Sequence, residues 1–154
     1  EQTSKATKVF YAPNMSLGVN SFFQVARNAA SRLKDYDIEI IESHHRFKKD
    51  SPSGTAIKLG EEIASELGRN NKDFVFDRQQ QIAERKKYDI GFSSVRGGNI
   101  PGEHTVVFHG EHESIEVTHR AFNRKIFSDG AVNASVWLAS QTNGYYNYKD
   151  LLKS

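Results

Sequence analysis

The densest run of reactive side chains is His44-His45-Arg46-Phe47-Lys48-Lys49-Asp50-Ser51-Pro52-Ser53-Gly54-Thr55-Ala56. Two imidazoles close an apolar stretch, Lys48 stands four residues after His44, and Ser53 opens a helical pattern with Gly54 and Thr55 in its first turn. Residues of these types in this order suit an anion that must be protonated. The first turn of a helix presents backbone N–H groups with no intrahelical partner at the positive end of the macrodipole, and so attracts a carboxylate or phosphate. Gly54 allows a ligand close to the backbone. His44, His45, Arg46 and Lys48 add donors and positive charge, and a histidine among cations releases its proton readily near neutral pH. The alternative for the same run is a strand end with surface cations followed by an ordinary helix cap.

Three other groups compete. His104, His109, His112 and His119 resemble a metal set, but strand alternation puts His104 and His109 on opposite faces and there is no H-E-x-x-H, so no metal is expected. Arg96-Gly97-Gly98-Asn99-Ile100-Pro101-Gly102 lacks the spacing of a dinucleotide fingerprint and reads as a glycine-rich hairpin from which Arg96 reaches a site. Ala12-Pro13-Asn14-Met15-Ser16 is a strand-to-helix turn able to present backbone and the Asn14 side chain to a ligand. Tyr145, Tyr146 and Tyr148 lack a neighbouring basic face and read as packing for a terminal segment.

Composition narrows the classes. The 154 residues carry 21 basic and 19 acidic side chains, a net charge of +2 that is too balanced for a dedicated nucleic-acid binder. No cysteine is present, which excludes disulfides, thiolate zinc sites and thiol catalysis and fits a reducing cytoplasm. Ten Phe and six Tyr argue for a packed core rather than disorder. No apolar run is long enough for a membrane span. The chain starts at Glu1 and its one methionine, Met15, falls in a helical pattern, which predicts a piece of a longer protein.

The elements that must position these side chains follow from periodicity. Residues 9–12 read as a strand stopped by Pro13, and Ser16 caps a helix to about Leu33 with Val19, Phe22, Phe23, Ala26, Ala30 and Leu33 on one face. Ile38 to Ile41 is a strand, and a second helix runs from Gly54 to Leu67 with Gly68 as its stop. Phe74 to Phe76 reads as a short edge strand. Ile90 to Val95, His104 to His109 and Ser114 to Arg120 read as strands, the last with Ile115, Val117 and His119 on a buried face. Lys125 to Phe127 reads as a short strand, after which Asp129 caps a last helix to about Ser140. The order predicts an α+β fold: a mixed open β-sheet with helices packed on one face.

The segments Ala12 to Asn20, Glu42-Ser43-His44-His45-Arg46-Phe47-Lys48 and Asp50 to Ala56 resemble the 4-hydroxy-tetrahydrodipicolinate (dihydrodipicolinate) reductases of lysine and diaminopimelate biosynthesis. Ile90-Gly91-Phe92, Arg96-Gly97-Gly98, Gly102-Glu103-His104-Thr105, Thr118-His119-Arg120-Ala121 and Gly130-Ala131 match in the family's order, so the resemblance covers nearly all of residues 9–140.

The resemblance implies NAD(P)H-dependent reduction of a small cyclic dicarboxylate by a cytoplasmic homotetramer assembled through the β-sheet. NADPH or NADH is held mainly by an N-terminal Rossmann domain that this sequence lacks. By that analogy residues 1–12 end the missing domain, 13–122 bind substrate and oligomerise, and 123–154 return to the Rossmann domain with the terminal helix. His44 matches the proton donor/acceptor and Lys48 the second proton donor. His45, Ser53, Gly54 and Thr55 match the substrate-binding residues, and Ala12, Pro13, Asn14, Met15 and Arg124 match the cofactor side. Phe47 stands where a polar residue is often found and is expected only to pack. The loop from Gln79 to Arg85 lacks the glycine common there. The runner-up reading is a non-catalytic anion-binding or assembly module on the same fold.

Overall fold

A computed structural model describes residues 5–80 and 83–153. Within the Gln79–Arg85 loop, positions 81 and 82 lie outside the described residues, as do positions 1–4 of the expected 1–12 segment. The elements are β1 (Lys8–Phe10), α1 (Leu17–Arg32), β2 (Asp37–His44), α2 (Gly54–Glu66), β3 (Phe74–Val75), β4 (Ile90–Arg96), β5 (Gly102–His109), β6 (Ser114–Ala121), α3 (Lys125–Ala139), β7 (Gly144–Tyr146) and α4 (Tyr148–Leu151). The chain divides into two compact units, one formed by the residues up to Ser21 with those from Asn123 on, the other by Phe22–Phe122.

In the first unit, β1 pairs in parallel with β7. Ser16 Oγ accepts the Val19 amide at 3.2 Å and opens α1 as its cap. Phe10 meets the edges of Trp137 and Tyr148, with ring centroids 6.1 and 5.2 Å apart. The Tyr148 hydroxyl donates to the Met15 carbonyl at 2.5 Å. Of the tail aromatics, Tyr148 is buried and Tyr146 meets the edge of Trp137 at 5.4 Å, as expected, whereas Tyr145 is exposed, and Asn147 starts α4 with a capping box. One expectation fails: Lys125-Ile126-Phe127 is the first turn of α3 rather than a strand, and Asp129 lies inside the helix rather than capping it. Asn123 Oδ1 accepts the Lys125 amide at 2.8 Å, and the helix starts five residues earlier than a cap at Asp129 would place it.

The second unit is a five-stranded sheet in the order β3-β4-β2-β5-β6. β3, β4 and β2 run parallel, and β5 and β6 are antiparallel additions. Ile38 and Ile40 of central β2, Ile90 of β4 and Val106 and Phe108 of β5 are fully buried, together with Ala56, Leu59 and Ile63 of α2 and Ala26 and Ala30 of α1. Gly60 of α2 lies so close to β4 that a Cβ would come 2.6 Å from the Phe92 ring. Arg27 of α1 bridges to Glu62 and Glu66 of α2, at 3.4 and 2.8 Å.

Two expectations about this sheet are corrected. Residues 97–101 do not form a hairpin, because β2 lies between β4 and β5. The segment crosses the end of β2 instead: Gly97 N donates to His44 O, His45 N to Ile100 O and Arg46 N to Gly98 O, at 3.0, 2.8 and 3.2 Å. β2 takes the centre because its core face carries the fully buried Ile38 and Ile40, which need strands on both sides. The face of β6 carrying Ile115, Val117 and His119 is only half covered, with Ile115 42% exposed, because β6 is an edge strand.

Candidate functional site

The site forms where β2 and β4 end and β5 begins, beside the start of α2. In register, Glu42 faces His104 across β2 and β5, and His44 faces Arg96 across β2 and β4. Strand alternation puts Glu42 and His44 on the same face of β2.

Glu42 is the hub. It is 1% exposed. Arg96 donates to both its oxygens, Nη1 to Oε2 at 2.8 Å and Nη2 to Oε1 at 2.7 Å. Ser53 N donates to Oε1 at 3.2 Å, and His44 Nδ1 lies 2.5 Å from Oε2. Burial alone would raise the Glu42 carboxyl, but hydrogen bonds from Arg96, Ser94 and His44 outweigh it and carry it down to about 2. The carboxylate is ionised and can only accept, so His44 donates through Nδ1.

His44 is therefore held by one ring nitrogen. Burial pushes its proton affinity down, Glu42 pulls it up, and Lys48 and Arg96 push it down again, with a net fall. Its Nε2 lies against Gly102, where a Cβ would come within 3.0 Å. The His104 ring sits edge-on to His44 at 5.1 Å. His104 Nε2 and Ser53 Oγ share a 2.9 Å hydrogen bond, and burial, followed by the charge of His44, drives His104 down to about 3. His104 is thus a neutral core imidazole.

Ser53 caps α2 through Oγ, which accepts the Ala56 amide at 3.2 Å. Gly54 is exposed, and the space where its Cβ would stand is open. Lys48 Nζ donates to both oxygens of Asp50 at 2.8 Å, and Arg96 Nη2 donates to the Asp50 carbonyl at 2.8 Å. The peptide bond between Ser51 and Pro52 is cis. His45 is half-buried, and its Nδ1 is buried without a partner among the described residues. The expectation that Phe47 only packs is wrong: the ring is 73% exposed and touches just the edge of the cluster, 6.3 Å from His45.

The second unit thus brings together His44, His45, Lys48, Ser53, Gly54 and Thr55. Ala12, Pro13, Asn14, Met15 and Arg124 belong to the first unit. There Asn14 Oδ1 accepts the Ser16 amide at 2.9 Å, the Met15 carbonyl is taken by Tyr148, and Arg124 is exposed at the head of α3. Sequence reasoning gave no role to Glu42 and treated His104 only as a rejected metal ligand. The two-residue spacing of Glu42 and His44 was a usable signal, since it puts both on one strand face. The approach of Arg96 and His104 depends on strand register, which the sequence does not display. Among the described residues no group of histidines and carboxylates could hold a metal ion, and no helix is long and apolar enough to cross a membrane.

Residues 18–152 match the family model described as dihydrodipicolinate reductase, C-terminus. A 4-hydroxy-tetrahydrodipicolinate reductase of Geotalea uraniireducens is 50% identical over 153 residues, covering 98% of this chain and 57% of the relative. A protein of the same name from Syntrophotalea carbinolica is 48% identical, covering 99% and 58%. The solved structure of a dipicolinate-bound dihydrodipicolinate reductase from Paenisporosarcina sp. TG-14 superposes with a TM-score of 0.72 at 25% identity, covering 92% of this chain and 53% of that one. The chain spans a little over half the length of the curated relatives it matches.

Proposed function

This chain belongs to the family of the dihydrodipicolinate reductase C-terminal region, and from that premise we propose that it grips and protonates the substrate of a 4-hydroxy-tetrahydrodipicolinate reductase. The reaction is the NAD(P)H-dependent conversion of 4-hydroxy-tetrahydrodipicolinate to tetrahydrodipicolinate in lysine biosynthesis. One hydride and one proton enter and one water leaves. A reduced nicotinamide, when bound, supplies the hydride.

The observation that carries the reading is the attachment of His44 to the start of α2 through Glu42. A doubly negative ring needs two anion sites and one acid close together. One carboxylate is taken by the first turn of α2, at Ser53, Gly54 and Thr55, where the helix end favours negative charge. His45, whose Nδ1 lacks a partner among the described residues, serves the substrate too. His44 delivers the proton, since burial and the cations Lys48 and Arg96 favour its release. Lys48, held ready by Asp50, is the second donor.

The described residues offer little to hold the nucleotide. The glycines with positive φ are Gly68 and Gly98, and neither stands between a strand and a helix N-terminus. The turn Ala12 to Met15 and Arg124 are this chain's contacts on the cofactor side, and the Rossmann domain of the longer protein carries the rest. In that arrangement residues 1–12 end the Rossmann domain, 13–122 serve the substrate and 123–154 return. The sheet face opposite the helices, where Ile41 and Val95 stay exposed, is the surface joining four copies, in the cytoplasm.

The test is NADPH- and NADH-dependent reduction by the intact reductase with His44→Gln and Lys48→Ala. Each change is expected to lower turnover by about a hundredfold or more. Unchanged turnover in both would favour a non-catalytic anion-binding module.

A further inference from the structure

We infer that Glu42 is the positioning residue of this site: its carboxylate fixes the His44 imidazole in the Nδ1–H form, leaves Nε2 as the atom that takes up and gives the reacting proton, and ties that ring to the first turn of α2. The inference rests on the reading of His44 as the proton donor.

The geometry allows Glu42 little freedom. The Arg96 fork engages both carboxylate oxygens, so the group cannot rotate about its terminal bond without breaking two charge-assisted hydrogen bonds. With the carboxylate fixed, Oε2 aims at His44 Nδ1 and Oε1 at Ser53 N. One side chain thus spans the acid and the anion-binding helix start. An ionised carboxylate has no proton to give, so the hydrogen on that bond belongs to the imidazole. The second nitrogen, Nε2, is then the one that takes and gives the reacting proton, and a Cβ at Gly102 beside it would press on it at 3.0 Å.

A purely structural account is weaker. Burying a carboxylate and a guanidinium gains little stability over apolar residues of the same size, because desolvation offsets their attraction. What the ion pair supplies here is a fixed direction for a third group. The arrangement resembles the use of a buried acid to hold a catalytic histidine in one tautomer.

The experiment is nitrogen NMR of the chain labelled at histidine. In the unaltered protein His44 is expected as the pure Nδ1–H tautomer when neutral. Glu42→Gln can still accept from Ser53 N and Arg96 Nη2 through its amide oxygen, but its NH₂ then faces His44 Nδ1 and loses the bond from Arg96 Nη1. His44 should switch to Nε2–H. The groups bearing on its titration are Glu42 on β2, Lys48 in the following loop, Arg96 at the end of β4 and His104 on β5. Loss of the Glu42 charge alone should lower the midpoint.

In the intact reductase, Glu42→Gln should reduce kcat about tenfold or more with KM within about threefold, and should cost less than about twofold further in a His44→Gln background. A mixed or Nε2–H tautomer in the unaltered chain overturns the inference, as does unchanged kcat in Glu42→Gln or a loss that is fully additive with His44→Gln. If Glu42→Gln does not fold, Arg96→Lys, which breaks the two-pronged grip, is read in the same way. A His44→Gln enzyme with normal turnover would remove the reading of the reaction, while the tautomer measurement would still decide whether Glu42 orients the ring.

Discussion

Ser53 Oγ, the hydroxyl that caps α2, also lies 2.9 Å from Nε2 of His104, a histidine 4% exposed on the neighbouring strand β5. One hydroxyl therefore closes the helix start and satisfies a buried ring nitrogen. Because Ser53 N also donates to Glu42, both polar ends of this residue are tied to the sheet.

Ser53→Ala should destabilise the second unit by about 3 kcal/mol. About 1 kcal/mol is the lost cap, and the rest is the penalty of leaving His104 Nε2 buried and unpaired. Ser53→Thr keeps the hydroxyl and should recover most of the loss. Urea unfolding of the three proteins measures this, and a change below about 1 kcal/mol for Ser53→Ala would show that the His104 contact carries no weight.

Acid should weaken the fold over a defined window. His104 is held down to about 3 in the folded state against an ordinary value of 6.5, so below 6.5 the unfolded chain takes up a proton that the folded chain refuses. Stability is full above 6.5 and falls as the pH drops toward 3, by about 2 kcal/mol at pH 5 from this group. His44 and His119, also lowered mainly by burial, add to the same slope. Glu42, held at about 2 against 4.5, adds a further loss below pH 4.5. Denaturation curves at pH 7.5, 6 and 5 should show the decline, and His104→Gln should flatten it between pH 6.5 and 5.

How much of this was legible differs from residue to residue. The α2 start at Ser53 and the α1 start at Ser16 could be read directly, because a cap is a local event between neighbours in the chain. Ile38 to Ile41 could be read as a strand from its β-branched residues, and Ile38 and Ile40 are fully buried in it. The Gly97–Pro101 crossover was misread as a hairpin because sequence adjacency favours pairing β4 with β5, and only the burial demand of β2 places it between them. Arg96 and His104 reach Glu42 and Ser53 from strands more than forty residues away, through a register no local pattern encodes. Lys125 to Phe127 looked extended because its isoleucine and phenylalanine favour strands, whereas Asn123 decided the outcome.

Gly102→Ala should impair turnover with little effect on folding. The new Cβ would stand 3.0 Å from His44 Nε2 and 3.4 Å from Cδ2. The ring cannot retreat freely, because Glu42 holds its opposite nitrogen. A displaced acid loses its alignment with the reacting atom, so kcat of the intact reductase is expected to fall about tenfold or more. Circular dichroism and the urea midpoint should stay near those of the unaltered protein. Normal kcat in a folded Gly102→Ala enzyme would mean that the Nε2 side of His44 is not where the chemistry occurs.

Gly130→Ala should instead damage the first unit. A Cβ there would lie 1.8 Å from the Met15 carbonyl oxygen and 2.8 Å from its carbon, both backbone atoms that cannot swing away as a side chain would. The same carbonyl receives the Tyr148 hydroxyl at 2.5 Å, and that hydroxyl also lies 3.1 Å from the Gly130 carbonyl, so moving α3 to make room breaks both bonds and disturbs the Phe10 contacts. The expected cost is about 3 kcal/mol, from overpacking together with the lost hydrogen bonding of a buried tyrosine. Trp137, the one tryptophan of the chain, lies in α3 with its ring 6.1 Å from Phe10 and reports on this unit alone. Its fluorescence should show a thermal midpoint lowered by about 6 °C or more in Gly130→Ala. A midpoint within about 2 °C of the unaltered protein would mean that α3 is free to move away from the Met15 backbone.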